Sequence, residues 1–378
     1  VYKRQRSRSN RGYSMTVNTR TVTHSGMDAR SNITTQELDQ VASTAWDDFV
    51  RRAPGGMPSH LSGWCNVMQK TYGYQTRYIL AQNSDGILGV LPLFIVPSRL
   101  TGKRMMTMPG GLCATNVGAA AELLNLALQI AAGEGLNSVV IQDSREVWSQ
   151  EWQVESDHVF WRLPLPDTEE TLWSRLDSNI RRQVRKARKN GLRAEVDRSG
   201  ALLSPFYEIF NRFTRQVGTP VFSYQFLENV VRTFPDGFNI ALVWHEETPV
   251  AGYFQLEMGD AMYGMWGAAL PESLNLRSAY LALWEIMSDA INNGFSFLDM
   301  GRSPAGSNAS KFKGQWGGDS APVYQLTMRE NGRGDEDTVT NQVQSDQRFQ
   351  LFIQLWPKLP LSVTTRLGPK LRWHIPFA

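Results

Sequence analysis

Asp299, Gly301, Arg302 and Ser303, followed by Gly306, Ser310, Lys311, Phe312, Lys313, Gly314 and Trp316, put an acid, a guanidinium and two ammonium groups into one short stretch. The stretch follows Phe295, Phe297 and Leu298, an apolar strand-like run, so it falls at a strand's C-terminal end, where open α/β sheets place their sites. Small residues let the backbone approach a ligand, and cations at fixed positions hold anions or developing negative charge. Acyl transfer needs this combination, because it requires a deprotonated nucleophile and a stabilised oxyanion. Lys313 and Arg302 are the candidates for the charge-stabilising role, on the oxyanion or on an acceptor's phosphate. Asp299, three residues before Arg302, either orients that guanidinium or caps its own loop.

Two further groups could join them. Tyr253, Gln255 and Glu257 alternate with Phe254 and Leu256, so they share one side of a predicted strand, and Glu257 becomes a candidate general base if that side faces a cleft. Ser303, Trp316 and Tyr280 complete the substrate-binding candidates; Tyr280 and Arg277 open the predicted helix 278–292. His60 and His245 stand alone and carry no site assignment.

The second cationic feature is a helix. Arg181, Arg182, Arg185, Lys186, Arg188 and Lys189 cover one face, and Trp173, Leu176, Ile180, Val184 and Ala187 cover the opposite one. No acid occurs between Ser178 and Ala194, whereas a merely solvated face normally mixes signs. Such a face suits a polyanionic substrate: a diphosphate, a nucleotide-linked precursor or a tRNA backbone, with Arg181, Arg182, Arg185 and Lys186 as the binding residues. General nucleic-acid binding fits the charge but lacks flanking aromatics or a module signature.

The elements that must position these groups fall into two similar passes. The spacing of Leu38, Val41, Ala45 and Phe49 predicts a helix over 35–52, with Thr34 or Thr35 as its cap, and a second helix spans 61–72. Strands follow at 74–81, 86–96 and 104–108, then a helix at 119–132 and a strand at 138–142. The second pass has one unbroken helix over 168–189, capped by Asp167 with Glu170, then helices near 205–217 and 224–234. Strands at 239–244, 249–258 and 261–269, the helix 278–292 and the strand feeding Gly301 complete it. Ile87-Leu88-Gly89-Val90 and Pro249-Val250-Ala251-Gly252 are the matching points of a weak internal repeat. The domains are therefore read as 30–165 and 166–330, with a tail at 1–29 and a linker and helical tail at 331–378.

Composition narrows the classes. The chain has 378 residues and a formal charge of +3, but residues 1 to 26 hold six Lys/Arg and no acid; without them 33 basic residues face 36 acidic ones. That leading segment lacks a signal peptide's apolar core, reads as disordered and partly non-native, and stays outside the functional argument. Two cysteines cannot form a disulfide framework, and no Cys/His pair has zinc-ligand spacing, so no structural metal and a cytoplasmic setting are expected. No run of about 18 apolar residues exists to cross a bilayer. The tail from 347 onward carries Phe349, Phe352, Leu355, Trp356, Leu359 and Leu361 with Lys358, Arg366, Lys370 and Arg372; it either lies on the inner membrane surface or docks on its own domain.

Taken together, the motifs resemble the FemAB-type aminoacyltransferases and the related GNAT-like proteins encoded with exosortase/PEP-CTERM systems. The resemblance is carried by Trp46-Asp47-Asp48-Phe49-Val50, His60 with Trp64, Gly89-Val90-Leu91-Pro92-Leu93 with Ser98, Asn179 with 181–187, and Gly218-Thr219-Pro220. Pro249-Val250-Ala251-Gly252, Asp299 with Gly301-Arg302-Ser303, Phe312-Lys313 with Trp316-Gly317, and Leu355-Trp356 with Leu359-Pro360-Leu361 complete it. It implies an α/β (α+β) fold of two tandem GNAT-like acyltransferase units, mixed sheets flanked by helices, with the site in the second. It also implies transfer of an acyl or aminoacyl group from acyl-CoA or aminoacyl-tRNA, without metal. The acceptor would be an amine or hydroxyl of an anionic small-molecule or lipid-linked peptidoglycan or exopolysaccharide precursor. A catalytically silent module that binds the same anionic glycan or lipid is the competing reading. In two places the chain departs from the pattern: the connection Leu274-Asn275-Leu276-Arg277-Ser278-Ala279 has no glycine for a pyrophosphate loop, and the helix 168–189 has no partner to form a long helical arm.

Overall fold

The computed structural model describes residues 33–38, 43–98, 102–136, 138–329 and 347–375. The leading tail of the sequence reading, 1–29, lies outside these residues, and of its linker and helical tail, 331–378, only 347–375 lie within them.

Thirteen strands form one mixed sheet. They are β1 (Thr34–Leu38), β2 (Gln75–Asn83), β3 (Gly86–Ser98), β4 (Gly102–Met106), β5 (Cys113–Ala114), β6 (Ser138–Ser144), β7 (Gln153–Pro164), β8 (Leu192–Asp197), β9 (Phe238–His245), β10 (Thr248–Met258), β11 (Ala261–Ala269), β12 (Phe297–Pro304) and β13 (Asp319–Arg329). Their order is β1-β2-β3-β4-β6-β13-β7-β12-β11-β10-β9-β8, with β5 paired to β3 off this path. The two passes read from the sequence thus meet in the middle of the sheet. There β13, late in the chain, lies antiparallel between β6 and β7, and β7 lies antiparallel to β12.

The helices are α1 (Ser43–Arg52), α2 (Trp64–Tyr72), α3 (Val117–Gly133), α4 (Glu169–Arg175), α5 (Ser178–Lys189), α6 (Leu203–Gln216), α7 (Tyr224–Thr233), α8 (Ser278–Asn292), α9 (Asn308–Gly314), α10 (Gln347–Leu355) and α11 (Leu361–Arg372). On one face of the sheet α3 packs on the N-terminal strands, and α5 and α8 pack on the C-terminal ones, as two separate apolar cores. On the other face a single core runs through both halves, joining Trp46 and Trp64 to Phe206, Phe226 and Phe254. Its seam is tight at α2 and α7: Trp64 lies 6.4 Å from Phe226 and 5.4 Å from Phe234 between ring centroids. Gly63 permits this approach, since a Cβ there would stand 2.7 Å from Thr233 Cγ2.

Three sequence expectations change. Residues 34–38 form strand β1 rather than the start of a helix, because the β-branched pair Thr34-Thr35 extends the edge of β2. The helix 168–189 breaks into α4 and α5. Leu176 turns extended, and the Asp177 carboxylate accepts the Asn179 amide at 2.7 Å, a cap that wins over helix continuation. Thr168, not Asp167, caps α4.

The alternative in which the tail docks on its own protein is the one observed for 351–375. Trp373 Nε1 donates to Tyr72 O (2.9 Å), Tyr74 OH to Trp373 O (2.6 Å), and Arg215 Nε to Leu359 O (2.6 Å), so α11 ties the two halves together.

Because β13 fills the place beside β6, residues 33–165 alone leave β6 with an open edge and the shared core without α6 and α7. We expect that fragment to melt without a cooperative transition under urea, followed by circular dichroism, whereas residues 33–375 unfold cooperatively; a sharp transition in the fragment would show two independent domains.

Candidate active site

Strands β11 and β12 run parallel and pair only from Ala261 with Phe297 to Tyr263 with Asp299. Beyond that the ladder stops: β11 stays with β10 and β12 bends toward β7. The bend is a bulge, in which Asp299 faces Arg162 and Arg302 faces Phe160, so β12 carries one extra residue. Gly301 makes it feasible. Its φ of +69° is in the left-handed region, and a Cβ there would lie 2.7 Å from the Gly264 carbonyl oxygen.

The bulge re-aims its side chains into a cavity of about 360 Å³ on the face of the shared core. Two ion pairs line it, and each joins the two halves of the chain. Arg145 pairs with Asp299, and Arg302 Nη1 reaches both oxygens of Asp143, at 3.0 Å and 2.8 Å. The second oxygen of Asp299 accepts the Gly301 amide at 2.8 Å, which fixes the bulge from inside. Arg145 stacks on Phe160, 3.8 Å from the ring centroid. Phe210, Phe222, Phe226 and Trp266 supply an aromatic wall. Arg372 of α11 also lines the cavity; it lies 4.4 Å over the Phe222 ring and donates from Nε to Pro220 O at 2.8 Å. Ser59, Met57 and Gly110 line it from the N-terminal half.

The structure sorts the sequence candidates clearly. Asp299 and Arg302 line the cavity, but they are not each other's partner: Asp299 orients Arg145, and Arg302 is held by Asp143. Lys313 stands behind the bulge, on α9 rather than in a loop, and its ammonium donates to the carbonyls of Gly301 (2.9 Å) and Arg302 (3.0 Å). Burial draws it down to about 8, against a raising pull from Asp299. Ser303 is buried and donates to the Arg302 carbonyl at 2.9 Å.

Glu257 is not at the cavity. It accepts from Arg198 and from Asn239 (2.7 Å) in a cluster with Asp289 on the α8 face, because Phe254 and Leu256, not the polar residues of β10, point to the shared core. On that same strand Gln255 is buried and Tyr253 half-buried; desolvation pushes the Tyr253 phenol up to about 12. Tyr280 opens α8, bonds Gln315 Oε1 at 3.2 Å and meets Phe312 and Trp316 edge-on or tilted, at 5.1 Å and 6.1 Å.

The basic helix also lies away from the cavity. Arg181, Arg182, Arg185 and Lys186 belong to α5, on the α8 face; Arg182 bonds Asn179 and Arg185 lies over Trp173. The C-terminal end of α5 meets the start of α8, where Asn190 Nδ2 donates to Leu276 O at 3.3 Å.

Asp143 and Arg145 had a sequence signal that the motif search did not use. Asp143-Ser144-Arg145 follows the apolar Val139-Val140-Ile141 as Asp299-Met300-Gly301-Arg302 follows Leu298, on strands that each come after the long helix of their half. The aromatic wall had none, since its residues come from α6, α7, β11 and the loop between the helices. Among the described residues, no group of three or more His, Cys, Asp or Glu side chains could hold a metal.

This geometry has known counterparts. Residues 174–314 match the family model described as the acetyltransferase (GNAT) domain. The matched segment lies wholly within the second half of the chain. No curated protein matches the chain. Among solved structures it is similar to FemX, with 17% identity, a TM-score of 0.60 and 78% of this chain covering 98% of that one. It is also similar to the C-terminal domain of a candidate lysylphosphatidylglycerol synthetase from Agrobacterium fabrum (10% identity, TM-score 0.54, 80% and 95% covered) and to L-PGS from Bacillus licheniformis (12%, 0.51, 75% and 96%). At these identities the likeness establishes the fold, which is a tandem GNAT-like one.

The lowered Lys313 sets a pH expectation. Below about 8 its ammonium is charged and holds both bulge carbonyls; as pH rises through that value the charge is lost and the hold weakens. Turnover should therefore fall on an alkaline limb near pH 8, and Lys313→Arg should move that limb upward. Stability runs the other way, since the cost of burying the charge is full below 8 and fades toward the ordinary lysine value of about 10.4. A kcat profile flat from pH 7 to 10 would show that Lys313 does not position the bulge.

Proposed function

We propose that the chain moves an acyl or aminoacyl group from an activated donor onto an amine or hydroxyl of an anionic cell-envelope precursor, at the opening between β11 and β12. The observation that carries this reading is the aromatic cavity lined by the two cross-half ion pairs, placed directly where the parallel ladder ends. Backbone groups beyond Tyr263 and Asp299 have no partner across the opening, so an extended donor with amide groups can pair there. The acceptor's lone pair attacks the donor carbonyl carbon. A C–N or C–O bond forms, the thioester C–S bond (or the ester C–O bond of aminoacyl-tRNA) breaks, and the acceptor's proton leaves with the departing thiol or hydroxyl through solvent.

Acyl-CoA is the general donor of GNAT domains and the first one to test. Its phosphates fit the start of α8 despite the absence of glycine. Arg277 adopts a left-handed φ of +72°, which turns the chain into the helix, and the basic end of α5 packs beside it. Of the polyanionic substrates open to Arg181, Arg182, Arg185 and Lys186, this favours the donor. An envelope acceptor agrees with the similarity to a lysylphosphatidylglycerol synthetase domain, whose name specifies a lipid. The outward Leu351, Leu355, Leu361 and Leu367, with Lys358, Arg366 and Lys370 and no acid from 347 to 375, suit peripheral contact with an anionic bilayer; no helix among the described residues is long and apolar enough to cross one.

The test is thiol release from acetyl-CoA with nucleotide- and lipid-linked peptidoglycan precursors as acceptors. Lys313→Ala should lower kcat by about 100-fold with an unchanged circular dichroism spectrum, since a misplaced bulge misaligns the reacting groups. In the same assay Lys186→Glu, one turn before Asn190, should raise KM for the donor several-fold and leave that for the acceptor unchanged. Full turnover in Lys313→Ala, or equal changes in both KM values, would contradict the assignment.

A further inference from the structure

The proposed function leaves the chemistry of the acceptor open, and the cavity narrows it. At about 360 Å³ it sits at the small end of ligand pockets and has room for a residue-sized unit. Its polar lining is of both signs. Asp299 is fully engaged by Arg145 and the Gly301 amide, but Asp143 meets Arg302 alone and keeps acceptor capacity, while Arg145 spends one N–H on Asp299 and has four more. A third group is waiting: Ser59 lines the cavity, is only 4% exposed, and its Oγ has no hydrogen-bond partner. A buried hydroxyl in that state normally has a partner in the functional complex. The aromatic wall of Phe210, Phe222, Phe226 and Trp266 lines the same cavity.

We propose that this cavity binds an amino-acid unit of the acceptor, with the free amine on Asp143, the carboxylate on Arg145, a hydrogen bond from Ser59, and an apolar side chain against the aromatic wall. A simple anion would have no use for Asp143, and a simple amine none for Arg145. Within each ion pair the charges already cancel, so an added unit that is itself zwitterionic leaves the local charge balanced. The inference rests on the cavity being the acceptor end of the transferase.

Isothermal titration calorimetry on the whole chain tests it with three probes: L-phenylalanine, 3-phenylpropionate (carboxylate only) and phenethylamine (amine only). Phenylalanine should bind at least tenfold more tightly than either of the others. Asp143→Asn should remove that advantage over 3-phenylpropionate. Ser59→Ala, which deletes an oxygen that the fold does not use, should weaken phenylalanine binding several-fold with an unaltered melting temperature. Equal affinity for phenylalanine and 3-phenylpropionate, no binding of any probe, or full affinity in Ser59→Ala would each overturn the proposal. Thiol release with envelope precursors, run in parallel, separates the two claims. Transfer without phenylalanine binding overturns the amino-acid site alone, and phenylalanine binding without transfer to any precursor overturns the envelope reading alone.

Discussion

Two reciprocal ion pairs, Arg145 with Asp299 and Asp143 with Arg302, hold the centre of this molecule, and the rest of the site depends on them. Each half of the chain contributes one acid and one arginine from an equivalent strand, and each charge takes its partner from the other half. Removing one partner would strand the other beside an apolar wall, where an unpaired charge is costly. The pairs thereby fix the bulge of β12, the bulge ends the ladder with β11, and the ended ladder opens the sheet where donor and acceptor can meet. Lys313 belongs to the same construction from behind, since its ammonium satisfies two carbonyls that the bulge releases.

Much of the C-terminal half was legible. The helix 278–292 was read with its observed bounds, and the strands 239–244, 249–258 and 261–269 within a residue or two, because buried β-branched runs and Gly-Asp turns mark their ends. Of the stretch from Asp299 to Lys313, Asp299, Gly301 and Arg302 line the cavity, and Lys313 stands behind them. Local pattern could not show which residue faces which. Asp299 was read as orienting Arg302 or capping its own loop; it does accept the Gly301 amide, but a one-residue bulge sends the two charges to partners more than 150 residues away. Glu257 was a candidate only if its side of the strand faced a cleft, because alternation identifies the faces of a strand without saying which face holds the cavity.

The strands β7 and β13 went unread for a related reason. Their pairing at the seam joins segments far apart in the chain, and each half-exposed strand mixes polar and apolar residues without clean alternation. The same seam explains the role of the C-terminal helix. Arg372 enters the cavity's edge and Trp373 bonds the N-terminal half, so the last described helix completes a site whose other walls come from both halves.

The account's central claim is that the donor lies in the opening between β11 and β12, with its phosphates at the start of α8. Hydrogen–deuterium exchange with and without acetyl-CoA addresses it without knowledge of the acceptor. The account predicts protection of amides in 264–267, 277–280 and 301–303, and no change in the far strands β1 to β3. Binding of acetyl-CoA that leaves those three segments exchanging at their free rate would contradict it.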